Sequence, residues 1–99
     1  MMAQPVYLVV DVKIHDADAY RKYKEKVKPL IESYGGEYLS RGVEINLLEN
    51  ELWEPTRMVL VKFPDKESAT NWYNCDEYQA LKKIRIDNAT STSLIIEGL

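Results

Sequence analysis

The chain has 99 residues, 45% of them hydrophobic and 29% charged, with a formal net charge of −3. That length supports one domain (1–99) with a modest core, and a slightly acidic chain lacks the basic field that nucleic acid or an anionic membrane would recruit. The one cysteine, Cys75, precludes an internal disulfide and fits a reducing compartment.

The N-terminus, Met1-Met2-Ala3-Gln4-Pro5, has no basic segment and no long apolar one, so no signal peptide is expected. The longest apolar run, at 6–10, is five residues, far below the ~20 that span a bilayer. The expected location is the cytoplasm. A first strand is expected over 6–12, ending where His15-Asp16 turns polar. Asp16 or Asp18 can cap the helix after it by accepting from its free amides. Tyr20, Tyr23, Val27, Leu30 and Tyr34 recur every three or four residues and share one helix face. Pro29 lies inside that pattern and should kink or divide the helix. Gly35-Gly36 ends it.

A second strand starts at 37–39 and is expected to continue past Gly42, at a bulge or bend, as far as Leu48. Residues 49–55 read as a loop. A third strand covers 57–63 and stops at Pro64-Asp65. Helices come next over 66–74, with Ala69, Trp72 and Tyr73 available to pack, and over 76–87, with Tyr78, Leu81 and Ile84 on one side. A last strand is expected over 93–97.

The order β-α-β-β-α-β predicts an α+β, ferredoxin-like fold: a four-stranded antiparallel sheet with helices on one face. Strands one and three are central in that topology, and they are also the most apolar. Both are apolar on both faces of the pleat, yet the helices can cover only one face. A bare face of on the order of 350 Å², if largely apolar, forgoes roughly 9 kcal/mol in water, comparable to a domain's whole net stability. Packing two such faces under twofold symmetry resolves this, so a homodimer is expected.

The residues Tyr34-Gly35-Gly36, Tyr38-Leu39, Arg41-Gly42, Glu49, Trp53, Pro55, Arg57, Val59, Phe63-Pro64, Ala69, Trp72-Tyr73, Glu77-Tyr78-Gln79, Arg85 and Glu97-Gly98 occur in an order and spacing that together are specific. On these the chain resembles the family called domain of unknown function 1330, within the dimeric α+β barrel superfamily. Val43 and Asn50 stand where that family usually has glycine, and Cys75-Asp76 where a serine–proline pair is common. The resemblance implies a homodimer with paired sheets and a cleft between helices and sheet. It implies no particular reaction.

Arg41, Glu49, Arg57 and Arg85 are the leading candidates for chemistry. A guanidinium fork binds a carboxylate through two parallel bonds, and that carboxylate can be Glu49 or a ligand's. One reading is an acidic small molecule held by the arginines with Glu49 as general base. The other, preferred on the residues alone, is an internal Arg–Glu pair that fixes the hairpin and leaves Glu49 a poor base. Trp53, Trp72, Tyr73 and Tyr78 can line an aromatic ligand cleft; the alternative is that Trp72 and Tyr78 simply pack helices on the sheet. Trp53, in an acidic loop, suits a dimer interface.

Some members of the superfamily bind haem through a histidine, but His15 at a strand-to-helix turn suits a solvated position. No His/Cys cluster exists, so neither a metal nor another cofactor is expected. Glu44, Glu49, Glu51 and Glu54 read as a solvated acidic loop rather than a cation site. Acidic neighbours make Cys75 a poor nucleophile.

Three functional classes remain. The first is a homodimer with a small-molecule cleft, either a ligand binder or a cofactor-free enzyme acting on a small acidic or aromatic compound. The second is a non-catalytic binding or regulatory module, and the third a haem- or metal-dependent enzyme. A cavity joining Arg41, Glu49 and an aromatic side chain would favour the first. Arginines satisfied by Glu49, with no cavity of substrate size, would favour the second.

Overall fold

Alternation organises the first strand, β1 (Val6–Ile14): Val6, Leu8 and Val12 are buried under the helices, while Tyr7, Val9 and Asp11 point to the other side. The computed structural model describes residues 4–99; the expectation placed on Met1-Met2-Ala3 lies outside the described residues. After β1 come α1 (Ala17–Ser33), β2 (Glu37–Arg41), β3 (Met58–Phe63), α2 (Lys66–Asn74), α3 (Asp76–Asn88) and β4 (Ala89–Glu97). The sheet is antiparallel throughout, in the order β2-β3-β1-β4. This is the ferredoxin-like arrangement, with the two most apolar strands at its centre. Among the described residues no helix is long and apolar enough to cross a membrane.

Local chemistry sets the boundaries. Asp16 caps α1, its side chain accepting from Ala19 N at 3.1 Å, while Asp18 pairs with Arg21 on the surface. Pro29 does not divide α1, which runs continuously through it. The buried face of α1 is Tyr20, Tyr23, Val27 and Ile31, with Leu30 and Tyr34 only partly covered. Gly35, at φ +88°, turns the chain out of the helix. Asp65 caps α2 and Cys75 caps α3, the Cys75 sulfur accepting from Tyr78 N at 3.4 Å. The face of α3 that packs inward is Tyr78, Leu81 and Arg85, with Ile84 at its margin.

Two strand expectations are corrected. β2 stops at Arg41 and does not reach Leu48, because Gly42 takes φ +62° and leaves the sheet. The bulge lies at Leu39, between Tyr38 and Ser40, not at Gly42. One extra residue there places both Tyr38 and Arg41 on the helix side. β4 begins at Ala89 rather than Ser93, since β1 continues to Ile14 and supplies ladder partners for 89–92.

The core is aromatic. Trp72 stacks on Phe63 with centroids 5.8 Å apart and lies 4.2 Å from the Tyr78 ring. The opposite side of the sheet carries Val9, Met58 and Leu60, half-buried, and Leu94 and Ile96, 45% and 51% exposed. The 42–57 segment meets that side through Asp11, whose carboxylate accepts from Trp53 Nε1 at 3.0 Å, Thr56 N at 2.9 Å and Arg57 N at 3.1 Å.

Candidate functional site

The register builds the floor of a cleft under the helices. Arg41 pairs with Val59, Val59 with Val10, and Val10 with Ser93. These four form one row across the helix-facing side. In the next row Val12 N donates to Arg57 O at 3.0 Å, and Val12 lies opposite Ser91. Tyr20 and Tyr23 from α1, Trp72 from α2, and Tyr78 and Arg85 from α3 close the cleft from above.

Each arginine reaches it differently. Arg41 Nη2 donates to the carbonyl of Lys24 at 2.7 Å, and its guanidinium lies 4.9 Å from the centre of the Tyr38 ring. The guanidinium of Arg57 lies against Gly42, where a Cβ would come within 2.7 Å of it. Only glycine admits both that contact and the positive φ. Arg85 Nη1 donates to Ser91 Oγ, while its buried Nε has no partner. Trp72 Nε1 is buried and unpartnered as well.

No Asp or Glu among the described residues lines this cleft. The ion pairs among the described residues, Arg21–Asp18 and Lys28–Glu32, lie on the outer face of α1 and involve none of these arginines. Nor do the phenols supply an anion. Burial raises the Tyr20 pKa even though Arg57, Arg85 and Arg41 each pull it down. Burial, reinforced by Tyr78, pushes Tyr23 up, and its hydroxyl shares a 3.0 Å hydrogen bond with that of Tyr78. Burial also pushes Tyr38 up to about 12, against the pull of Arg41. For Arg85, burial disfavours the charge, but the Tyr78, Tyr23 and Tyr73 phenols outweigh it, so its pKa rises and the charge is kept.

The cavity encloses about 40 Å³, room for one or two waters and well below a typical ligand pocket of ~300 Å³ or more. Lys24 and Arg41 line both this cavity and a surface depression of about 490 Å³ between α1 and β2. The structure thus brings Arg41, Arg57, Trp72, Tyr78 and Arg85 together. Glu49 lies apart, on an exposed loop surface with Leu47, Leu52, Trp53 and Met58. Trp53 also flanks Val9, Met58 and Leu94 on the open side of the sheet. His15 is exposed, 2.7 Å from Thr90 Oγ1. Among the described residues no group of three or more His, Cys, Asp or Glu side chains could hold a metal ion.

Sequence reasoning treated Tyr20 and Tyr23 as core and did not weigh Tyr38 or Lys24. The usable signal was the polar run 90–93 at the start of β4: Ser91 and Ser93 alternate onto the helix-facing side, where a pure core would place apolar groups.

The family described as Domain of unknown function (DUF1330) matches residues 5–99. No curated protein matches the sequence. Among solved structures, a protein of unknown function from Rhodopseudomonas palustris, RPA0582, is 18% identical with a TM-score of 0.76, over 97% of this chain and 83% of that one. SnoaB, a cofactor-independent oxygenase from Streptomyces nogalater, is 11% identical with a TM-score of 0.70, over 98% and 95%. A dimeric protein of unknown function and ferredoxin-like fold from Bacteroides fragilis is 17% identical with a TM-score of 0.54, over 99% and 100%. At these identities the likeness is one of fold.

Proposed function

The chain belongs to the DUF1330 family, and from that premise we propose that it is a cytoplasmic homodimer whose helix–sheet cleft binds a small acidic compound. One observation carries the reading: Arg41, Arg57 and Arg85 converge on a cleft that no carboxylate lines. A buried cation without a counterion is costly, and a ligand acid is the counterion that this arrangement accepts. The apolar open face, with Val9, Leu60, Leu94 and Ile96, supports pairing of two sheets; the dimeric relative of the same fold agrees with that.

Two roles fit such a cleft. A cofactor-free enzyme is supported by the likeness of fold to a cofactor-independent oxygenase. A non-catalytic binding module is supported by the cleft's own acid–base groups: the phenols of Tyr20, Tyr23 and Tyr38 are all held above their ordinary pKa, away from neutrality. Thermal shift against small carboxylic acids and their methyl esters tests the shared reading. Acids should raise the melting temperature and esters should not. Arg41→Ala should weaken that shift more than it lowers the ligand-free melting temperature. Equal shifts from acids and esters would reject the cleft as an acid site, and collapse of the ligand-free variant would make Arg41 structural. Consumption of a bound acid by the purified protein would decide for the enzyme.

A further inference from the structure

If the cleft binds an acid, a reading on which this inference rests, its volume limits which acid. The whole cavity lined by Lys24, Arg41, Val10, Val59, Trp72 and Arg85 encloses about 40 Å³. A one-carbon oxyanion takes the place of roughly two waters and fills such a space. A chain or ring of carbons behind the acidic group does not fit, and it has no way out. Lys24 and Arg41 form the wall that the cavity shares with the surface depression. Arg41 Nη2 ties the two together by donating to the Lys24 carbonyl at 2.7 Å.

The charges set the valence. Four cationic side chains line the cavity, Lys24, Arg41, Arg57 and Arg85, and no Asp or Glu does. They are not equivalent. Lys24, Arg41 and Arg57 are half-buried, so water and dissolved ions screen them. Among the described residues the buried charged side chain is Arg85, 7% exposed. One buried cation calls for one interior negative charge; a dianion adds a second desolvation cost with no second buried partner. The donors are in place as well. Trp72 Nε1, on a side chain 2% exposed, and Arg85 Nε have no acceptor, and both side chains line this cavity beside Tyr78. The lone pairs of one oxyanion suffice for both. The valine floor and the aromatic roof of Tyr20, Tyr23 and Tyr78 make the space a slot, which suits a planar ion.

We propose that the cleft encloses a single planar monoanion of the formate, bicarbonate or nitrate class, held whole between sheet and helices by Trp72 and Arg85 and admitted past Arg41. Selection is by size and charge. Binding involves no covalent step.

Titration calorimetry on the intact protein at constant ionic strength tests the claim, with formate, bicarbonate and nitrate set against acetate, butyrate, benzoate and inorganic phosphate. At least one of the first three should bind about tenfold or more tighter than butyrate, benzoate or phosphate, the size of an overpacking penalty. Arg85→Met should abolish that binding. Val59→Ala removes two methyl groups from the floor and leaves every charge in place, so acetate should draw level with the best small ion. Val10→Ala is the second enlarging variant should Val59→Ala fail to fold. Butyrate or benzoate binding as tightly as the best small ion in the wild type would overturn the enclosure while leaving an acid site in place. Phosphate binding as tightly would overturn the monoanion. An unchanged size preference in the enlarged cavity, or undiminished binding in Arg85→Met, would put the ion elsewhere and overturn the assignment. Failure of every anion to bind would overturn both this inference and the reading it rests on.

Discussion

Arg85→Met separates a cleft kept for a ligand from one kept for stability. Arg85 is buried, its Nε is unpartnered, and its side-chain hydrogen bond to Ser91 comes from Nη1. Methionine has a similar reach and no charge. The exchange loses one charge-assisted hydrogen bond, ~1.5–3 kcal/mol. Against that, it removes one orphaned donor, ~1–3 kcal/mol, while the burial of the guanidinium is already offset by the Tyr78, Tyr23 and Tyr73 phenols. Ser91 is only half-buried, so its hydroxyl can turn to water. The two terms nearly cancel, so the variant should lie within about 1 kcal/mol of the wild type, a change in melting temperature of no more than ~4–8 °C for a domain this size. The assay is thermal unfolding at fixed protein concentration, since a dimer's melting point depends on concentration. The same variant should lose acid-induced stabilisation. A loss of roughly 2 kcal/mol or more in ligand-free buffer, approaching the cost of breaking a satisfied buried charge pair, would show that the protein itself compensates Arg85 and would refute the reasoning.

The other predictions concern the interface, the long loop and pH. Leu94→Lys alters a side chain that one chain alone leaves half exposed, so in a monomer the effect is within ~0.5 kcal/mol. In a dimer joined through the open face it should shift light-scattering mass from two chains towards one. Asp11→Ala removes three hydrogen-bond acceptances from the 42–57 segment; the expected loss is about 2 kcal/mol, with Trp53 fluorescence moving to the red as the indole loses its anchor. Alkaline pH should destabilise the fold. Below the ordinary phenol pKa of 10.0, Tyr38 is neutral folded and unfolded; between there and about 12 only the unfolded chain releases the proton, so stability falls as pH rises. Tyr20 and Tyr23 act in the same direction. Melting temperatures from about pH 9 upward, with phenolate absorbance, check this.

Topology was legible because periodicity and punctuation agree along most of the chain. Asp16, Gly35-Gly36, Pro64-Asp65 and Cys75 mark ends that backbone chemistry enforces. The misjudged strand ends share a cause. Val43 to Leu48 alternate like a strand, but a strand also needs a ladder partner, and the turn at Gly42 removes it. At 89–92 the polar residues hid a strand whose partner, the end of β1, is distant in sequence. The arginines were legible as a set, because guanidinium groups in and beside apolar elements need an explanation. Their freedom from Glu49 was not legible, since proximity along the chain says nothing about which side of the sheet a loop faces. Asp11, a lone carboxylate in an apolar strand, was the overlooked marker of where that loop is tied.

A crystal structure of the protein soaked with its best-binding carboxylic acid tests the central claim most directly. A carboxylate oxygen should lie within hydrogen-bonding distance of both Trp72 Nε1 and Arg85 Nε, with Arg57 and Arg41 turned towards the same ligand. A Glu49 carboxylate from either protomer folded onto Arg41 or Arg57, with the acid excluded, would contradict it.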